Sequence, residues 1–207
     1  MHCLVVGNGE SRRGVDISKF TDRFTIVGCN ALHRDTSVDH LICCDRRMVE
    51  EAVISKHTIN TKIYVREEWH KYFRKIKKDK RIHLLPEIPY EQINKQDKAI
   101  NWGSGPYALL TAASLNPTTI TMVGFDLYGI DNKVNNLYKD TNNYATRDTK
   151  SIDHSYWEHQ IAKVFSCFPH INFYVYNRPD WKQPKRWSKP NVYFESFSLI
   201  KNLTFTK

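Results

Sequence analysis

The chain has 207 residues, 41% of them hydrophobic and 26% charged, and a formal net charge of +9. That length suits one well-buried α/β domain and is short for two. No stretch is apolar for long enough to cross a bilayer, and no low-complexity tract or internal repeat stands out.

An apolar run, Cys3-Leu4-Val5-Val6, opens the chain and passes straight into Gly7-Asn8-Gly9-Glu10-Ser11. This reads as a buried strand, a tight glycine turn and a helix that Ser11 caps and that ends near Phe20. Free amides at such a helix start suit an anion, usually the phosphate of a nucleotide. A strand beginning at once argues against a leader peptide, so a soluble cytoplasmic protein is expected.

Arg23 to Gly28 reads as the second strand, ending in Cys29-Asn30, and Asp39 to Cys44 as the third, with Asp45 opening a helix through Met48 and Ala52. Lys62 to Val65 is the fourth strand, followed by an aromatic and basic helix from Glu67 to Lys77. Ile82 to Leu85 is a short strand. Ser104 to Leu115 is a helix of small and apolar residues, and Thr119 to Val123 is a β-branched strand ending in Gly124-Phe125-Asp126. Residues 127–152 are polar, and they carry Tyr128, Tyr138 and Tyr144. A segment this long after a strand end suits a lid over substrate. A helix from Ser155 to Cys167 and a strand from Asn172 to Tyr176 follow.

Strands alternating with helices at this spacing predict one Rossmann-like domain, a mostly parallel sheet with helices on both faces, over residues 1–176. Residues 177–207 form a basic C-terminal extension with an amphipathic stretch from Phe194 to Leu203. Ligands of such sheets bind at the carboxyl ends of the strands, which here carry Gly7-Asn8-Gly9, Cys29-Asn30, Cys44-Asp45 and Gly124-Phe125-Asp126.

The five cysteines, Cys3, Cys29, Cys43, Cys44 and Cys167, are odd in number and without metal spacing, as expected of reduced packing residues. The charge concentrates in Arg74-Lys75-Lys77-Lys78-Lys80-Arg81 and in Lys182, Lys185, Arg186 and Lys189, the latter interleaved with Trp181 and Trp187. Either cluster suits an anionic partner: headgroups, nucleic acid or a phosphorylated glycan.

A P-loop is excluded for want of Gly-Lys-Ser/Thr. A dinucleotide site is disfavoured: Arg12 and Arg13 follow the two glycines where a third belongs, and Asn30 stands where an acidic ribose ligand belongs. Asparagines at two strand ends suit recognition of a nucleotide's polar edge or ribose, since an amide donates and accepts at once.

The set Gly7-Asn8-Gly9-Glu10-Ser11, Cys29-Asn30, Gly103-Ser104-Gly105 and Gly124-Phe125-Asp126-Leu127-Tyr128 resembles the bacterial sialyltransferases of glycosyltransferase family 42 and related nucleotide-sugar transferases. The resemblance spans roughly residues 1 to 176. It implies an inverting transferase that needs no metal or cofactor and uses a CMP-activated sugar, with a glycan or glycolipid acceptor such as a lipopolysaccharide precursor. By position, Gly7, Asn8, Gly9, Ser11, Asn30, Asp45, Ser104, Gly105 and Asp126 would surround the nucleotide. Tyr128 and Tyr138 would hydrogen-bond the leaving phosphate, and His154 would take the acceptor's proton, with His159 competing for that role. A cytoplasmic enzyme at the inner-membrane surface, touching it through the basic C-terminal region and open to homo-oligomerisation, is implied. The chain departs from the family pattern at Glu10, where proline is usual, at Asp45, where asparagine is usual, and at Asn101, where arginine is expected. Two rivals stand beside this reading. One is a pterin pyrophosphokinase-like nucleotide-transfer enzyme with a divalent ion on Asp45, Asp126 and Asp131. The other is a binding module for anionic ligands without chemistry.

Overall fold

The computed structural model describes residues 1–202. Eight strands form one parallel sheet: β1 (His2–Val6), β2 (Thr25–Cys29), β3 (His40–Cys43), β4 (Lys62–Val65), β5 (Ile82–Leu84), β6 (Thr119–Val123), β7 (Asn172–Asn177) and β8 (Val192–Ser196). Their order across the sheet is β5-β4-β3-β2-β1-β6-β7-β8. The chain winds outward from β1 to β5, returns, and winds outward the other way from β6. The direction therefore reverses between β1 and β6, where a parallel sheet opens a crevice at its carboxyl edge. The Rossmann-like α/β fold read from the sequence is the fold observed.

Both faces are covered, so the central strands are buried on both sides rather than on alternate residues. Cys3 and Val5 of β1 face α3 (Ser104–Ser114) and α4 (Ser155–Cys167), whereas Leu4 and Val6 face α1 (Arg46–Ile54). α2 begins at Glu67–His70 and continues with π-type bonding through Lys71–Ile76, packing Phe73 on the α1 side. Four of the five cysteines are buried, Cys167 is half-buried, and all are free thiols. Burial pushes the thiols of Cys3 and Cys29 up to about 12 and that of Cys44 to about 11.

Two expectations change. No α-helix follows β1: the chain makes two 3-10 turns, Glu10–Arg12 and Ile17–Phe20, separated by Gly14 at φ +82°. Gly9, not Ser11, precedes the first turn, and no side chain caps it. The basic segment after residue 176 adds β8 to the sheet edge, paired along its length with β7 from Phe173–Val192 to Asn177–Ser196. The amphipathic stretch beginning at Phe194 is thus a strand and then a 3-10 turn, Phe197–Asn202; its expected end, Leu203, lies outside the described residues.

Candidate functional site

At the crevice, β1 and β6 approach too closely for side chains. The Gly7 amide donates to the Val123 carbonyl (2.8 Å) and the Gly9 amide to that of Gly124 (2.9 Å), extending the ladder past both strand ends. A Cβ on Gly124 (φ +72°) would lie 2.6 Å from the Gly7 oxygen, and one on Gly9 would overlap the Asp126 carboxylate.

That carboxylate corrects the free-amide expectation. The Glu10 amide donates to Asn135 Oδ1 (2.9 Å) and the Ser11 amide to Asp126 Oδ2 (2.8 Å), while the Ser11 hydroxyl donates to Asp126 Oδ1. The anion at this glycine turn is Asp126, 4% exposed, carried in from β6. A second anion would have to displace it. The turn is also too short for a helix dipole to assist, since that effect needs several aligned peptides.

The open space lies on the α3 side of the turn, a cleft of about 200 Å³ whose walls include Gly7, Asn8, Gly9, Asn30, Ser104, Gly105 and Asp126. Phe125, Leu127, Asn135, Asn136 and Trp157 also line it, and no Lys, Arg or His does. Asn30, in the left-handed region at φ +50°, accepts from the Ser104 hydroxyl (2.9 Å), which itself accepts from the Cys44 amide (3.1 Å). One chain of bonds thus holds the end of β2 and the segment leaving β3 against the start of α3. Asn8 Nδ2 donates to the Tyr144 hydroxyl (3.1 Å), and Asn8 Oδ1 is buried without a hydrogen-bond partner among the described residues.

The donors facing this cleft are neutral. α3 starts at Ser104 after an uncapped Gly103, and Pro106 has no N–H to offer. Helix geometry leaves the first amides, those of Ser104 and Gly105, without intrahelical acceptors. The indole Nε1 of Trp157 would lie 2.8 Å from a Cβ placed on Gly103, so it sits at the same corner.

Five expected site residues lie outside the cleft walls. Ser11 is beneath them, bound to Asp126. Asp45 is exposed at the start of α1, without a side-chain capping bond. Tyr138, 7% exposed, packs on the α1 side, where its hydroxyl accepts from Arg12 Nη2 (2.8 Å) and donates to Asp35 Oδ2 (2.6 Å). Arg12, 2% exposed, also donates Nε to the Gly7 carbonyl (2.7 Å). Tyr138 is therefore a clasp between the 127–152 segment and the β1 turn, and its phenol has no free position for a phosphate. Arg34 closes the same segment from the other side. It forks onto Glu51 (2.5 and 2.6 Å), donates to Thr141 Oγ1 (2.7 Å) and lies over the rings of Tyr138 and Tyr144.

Tyr128 and His154 meet edge to face, ring centroids 4.6 Å apart, at the base of the 127–152 segment. Burial pushes the Tyr128 phenol up, with Glu158 adding to it. His154 immediately precedes α4, three residues before Trp157 and hence on the same helix side. His159 is committed elsewhere: Nε2 meets the buried Asp97 at 2.7 Å and Nδ1 meets Arg186 at 3.2 Å. A guanidinium only donates, so Nδ1 accepts and Nε2 carries the proton towards Asp97.

Sequence reasoning missed Trp157, Asn135 and Asn136. Trp157 was findable as the aromatic one helical turn after His154, whereas nothing local singles out the two asparagines within a polar stretch. Among the described residues no three His, Cys, Asp or Glu side chains converge in a metal-like group, and Asp45 and Asp131 are both exposed. No helix among the described residues is long and apolar enough to span a membrane. Compared with protein-family models, with curated proteins and with solved structures, the chain has no match.

Proposed function

We propose that the chain is an inverting glycosyltransferase that uses a CMP-activated sugar and needs no metal. The observation that carries this reading is the make-up of the cleft at the β1/β6 reversal: amides and a hydroxyl from Asn8, Asn30 and Ser104, with no cationic side chain. Neutral groups that donate and accept suit a pyrimidine edge and ribose. The amides of Ser104 and Gly105, with the Trp157 indole, replace Tyr138 as donors to the leaving phosphate, a stabilisation by preset dipoles.

In the reaction the acceptor hydroxyl attacks the anomeric carbon as the bond from that carbon to the phosphate oxygen breaks. The electron pair leaves with CMP, and the hydroxyl proton passes to the imidazole of His154. Tyr128, packed on that ring, holds its orientation. The cleft is smaller than the roughly 300–1,000 Å³ usual for ligand pockets, so the 127–152 segment has to yield as the donor enters.

Thermal-shift titration of the full chain against CMP, UMP, AMP and ATP with magnesium tests the reading. A ligand at 100 times its Kd stabilises by about 2.7 kcal/mol, which for a chain of this size raises Tm by about 5–10 °C. A shift with CMP that survives chelator is expected. No shift with CMP, or a shift with ATP and magnesium alone, overturns the proposal and favours the pyrophosphokinase-like rival in the second case.

A further inference from the structure

A run of exposed basic residues between Arg74 and Lys80 lies at the other edge of the sheet from the cleft. α1 and α2 both start beyond the carboxyl ends of their strands and run back, so their far ends meet beside the amino ends of β3 to β5. Arg81 joins them there. Its Nη2 donates to the Val53 carbonyl (2.7 Å), its Nη1 to the Thr58 carbonyl (3.1 Å), and its Nε and Nη2 pair with Asp79 (3.0 and 2.6 Å).

Around that junction three isoleucines are open to solvent: Ile54 at 84%, Ile59 at 68% and Ile76 at 67%. Lys56, Arg74, Lys75, Lys77, Lys78 and Lys80 are exposed among them. The one acid between residues 74 and 81, Asp79, is spent on Arg81. Arg74 lies within electrostatic reach of Asp79 and Lys75 of Glu67, which leaves Lys77, Lys78 and Lys80 as the net positive charge there, and the apolar side chains beside it are aliphatic.

We propose that this end of the molecule is a peripheral membrane surface that takes anionic phospholipid headgroups on its lysines and admits the isoleucines to the acyl boundary. Lysine charge beside exposed aliphatic side chains is the pairing that an anionic bilayer surface rewards. A nucleic-acid surface would instead present arginine forks and stacking aromatics. Here Arg81 is consumed internally, Arg74 is the one exposed arginine between residues 74 and 81 and is turned to the Asp79 carbonyl (3.5 Å), and the half-buried Tyr72 ring is already covered by Arg46 and Lys77.

In the C-terminal cluster, expected from the sequence to touch the membrane, the tryptophans interleaved with the lysines are turned inward. Trp187 is fully buried, Trp181 is stacked on Phe194 at 6.0 Å, and Arg186 is held at His159. This surface does not depend on the nucleotide reading, because it shares no residue with the cleft.

Cosedimentation of the full chain with phosphatidylcholine vesicles, with and without phosphatidylglycerol, tests the proposal. Binding is expected with phosphatidylglycerol only and should weaken as salt rises. Lys77→Glu/Lys78→Glu/Lys80→Glu should cost about a hundredfold or more, on a scale of about fivefold per charge. Ile54→Ser/Ile76→Ser should cost about tenfold with every charge retained. Lys182→Glu/Lys185→Glu/Lys189→Glu, altering the other cluster, should cost far less than the first triple variant. Circular dichroism and Tm verify that each variant is folded. Failure of the parent chain to bind anionic vesicles overturns the proposal. So does equal loss from the two triple variants, indifference to the isoleucine changes, or tighter binding to an RNA or DNA oligonucleotide than to the vesicles.

Discussion

Replacing Tyr138 by phenylalanine separates a structural role from a catalytic one. The change keeps the ring, its packing on the α1 side and its cation contacts with Arg12 and Arg34, and removes only the hydroxyl. That hydroxyl makes two bonds to charged partners, accepting from Arg12 at 2.8 Å and donating to Asp35 at 2.6 Å. Bonds to charged groups contribute about 1.5–3 kcal/mol each. The Arg12 side chain is 3% exposed, so its share counts nearly in full; Asp35 is 43% exposed, and water replaces most of what it loses. The sum is about 2–3 kcal/mol, or a fall in Tm of about 5–10 °C for a domain of this length. Differential scanning fluorimetry reads the Tm. Amide exchange across residues 135–146 should quicken, since Leu137 and Tyr144 are tied to Asn8 through this clasp. CMP affinity should change by less than about threefold, below the tenfold that 1.4 kcal/mol produces. An unchanged Tm together with lost CMP binding or turnover would refute the assignment and return Tyr138 to the phosphate.

Three further outcomes follow from the same geometry. Gly9→Ala should cost about 2–4 kcal/mol in urea unfolding, because its methyl expels the Asp126 carboxylate from Ser11; the cost should shrink in an Asp126→Ala background, and an equal cost there would show that the clash is not with that carboxylate. Trp157→Phe should weaken CMP about three- to tenfold, the worth of one neutral donor, with Tm kept within about 2 °C; unaltered affinity would remove the indole from the phosphate corner. Acid should weaken the fold below about pH 6.5: burial lowers the imidazoles of His33 and His40, so the unfolded chain takes up their protons first, and stability held above the unfolded pKa is lost as pH falls. Tm should therefore drop between pH 7 and pH 5, and His33→Gln/His40→Gln should flatten that slope; an identical slope in the double variant would place the sensitivity elsewhere.

Lys62 to Val65, Thr119 to Val123 and Ser155 to Cys167 have the bounds their sequence predicts. Each element is decided locally: the two strands by apolar or β-branched runs, the helix by an amphipathic period. Where a distant residue decides, the sequence is silent. Ser11 has the chemistry of a helix cap, yet its hydroxyl and amide are claimed by Asp126, 115 residues away, and the helix does not form. Tyr128, Tyr138 and Tyr144 are equivalent by spacing, and only distant partners determine what each one meets: His154 for Tyr128, Arg12 for Tyr138 and Asn8 for Tyr144. β8 hides because a basic, Trp- and Pro-containing stretch precedes it, although Val192-Tyr193-Phe194 carries a strand former's composition.

A net charge of +9 and a cleft without a cation are compatible because the arginines near the cleft are already employed. Arg12 and Arg34 fasten the 127–152 segment, while Arg66 donates to the carbonyls of Ala99 (3.0 Å) and Trp102 (2.8 Å), fixing the approach to α3. Each orders backbone that shapes the pocket without entering it. On the proposed function, the protein's field would still draw an anionic donor from solution, an effect that works over distance and fades with salt. Once such a donor were bound, short-range neutral dipoles would take over, and these are barely screened. Raising ionic strength should therefore slow CMP association far more than it speeds dissociation, which stopped-flow fluorescence of the cleft tryptophan would resolve. A dissociation rate that climbs as steeply as the association rate falls would mean that a cation touches the phosphate after all.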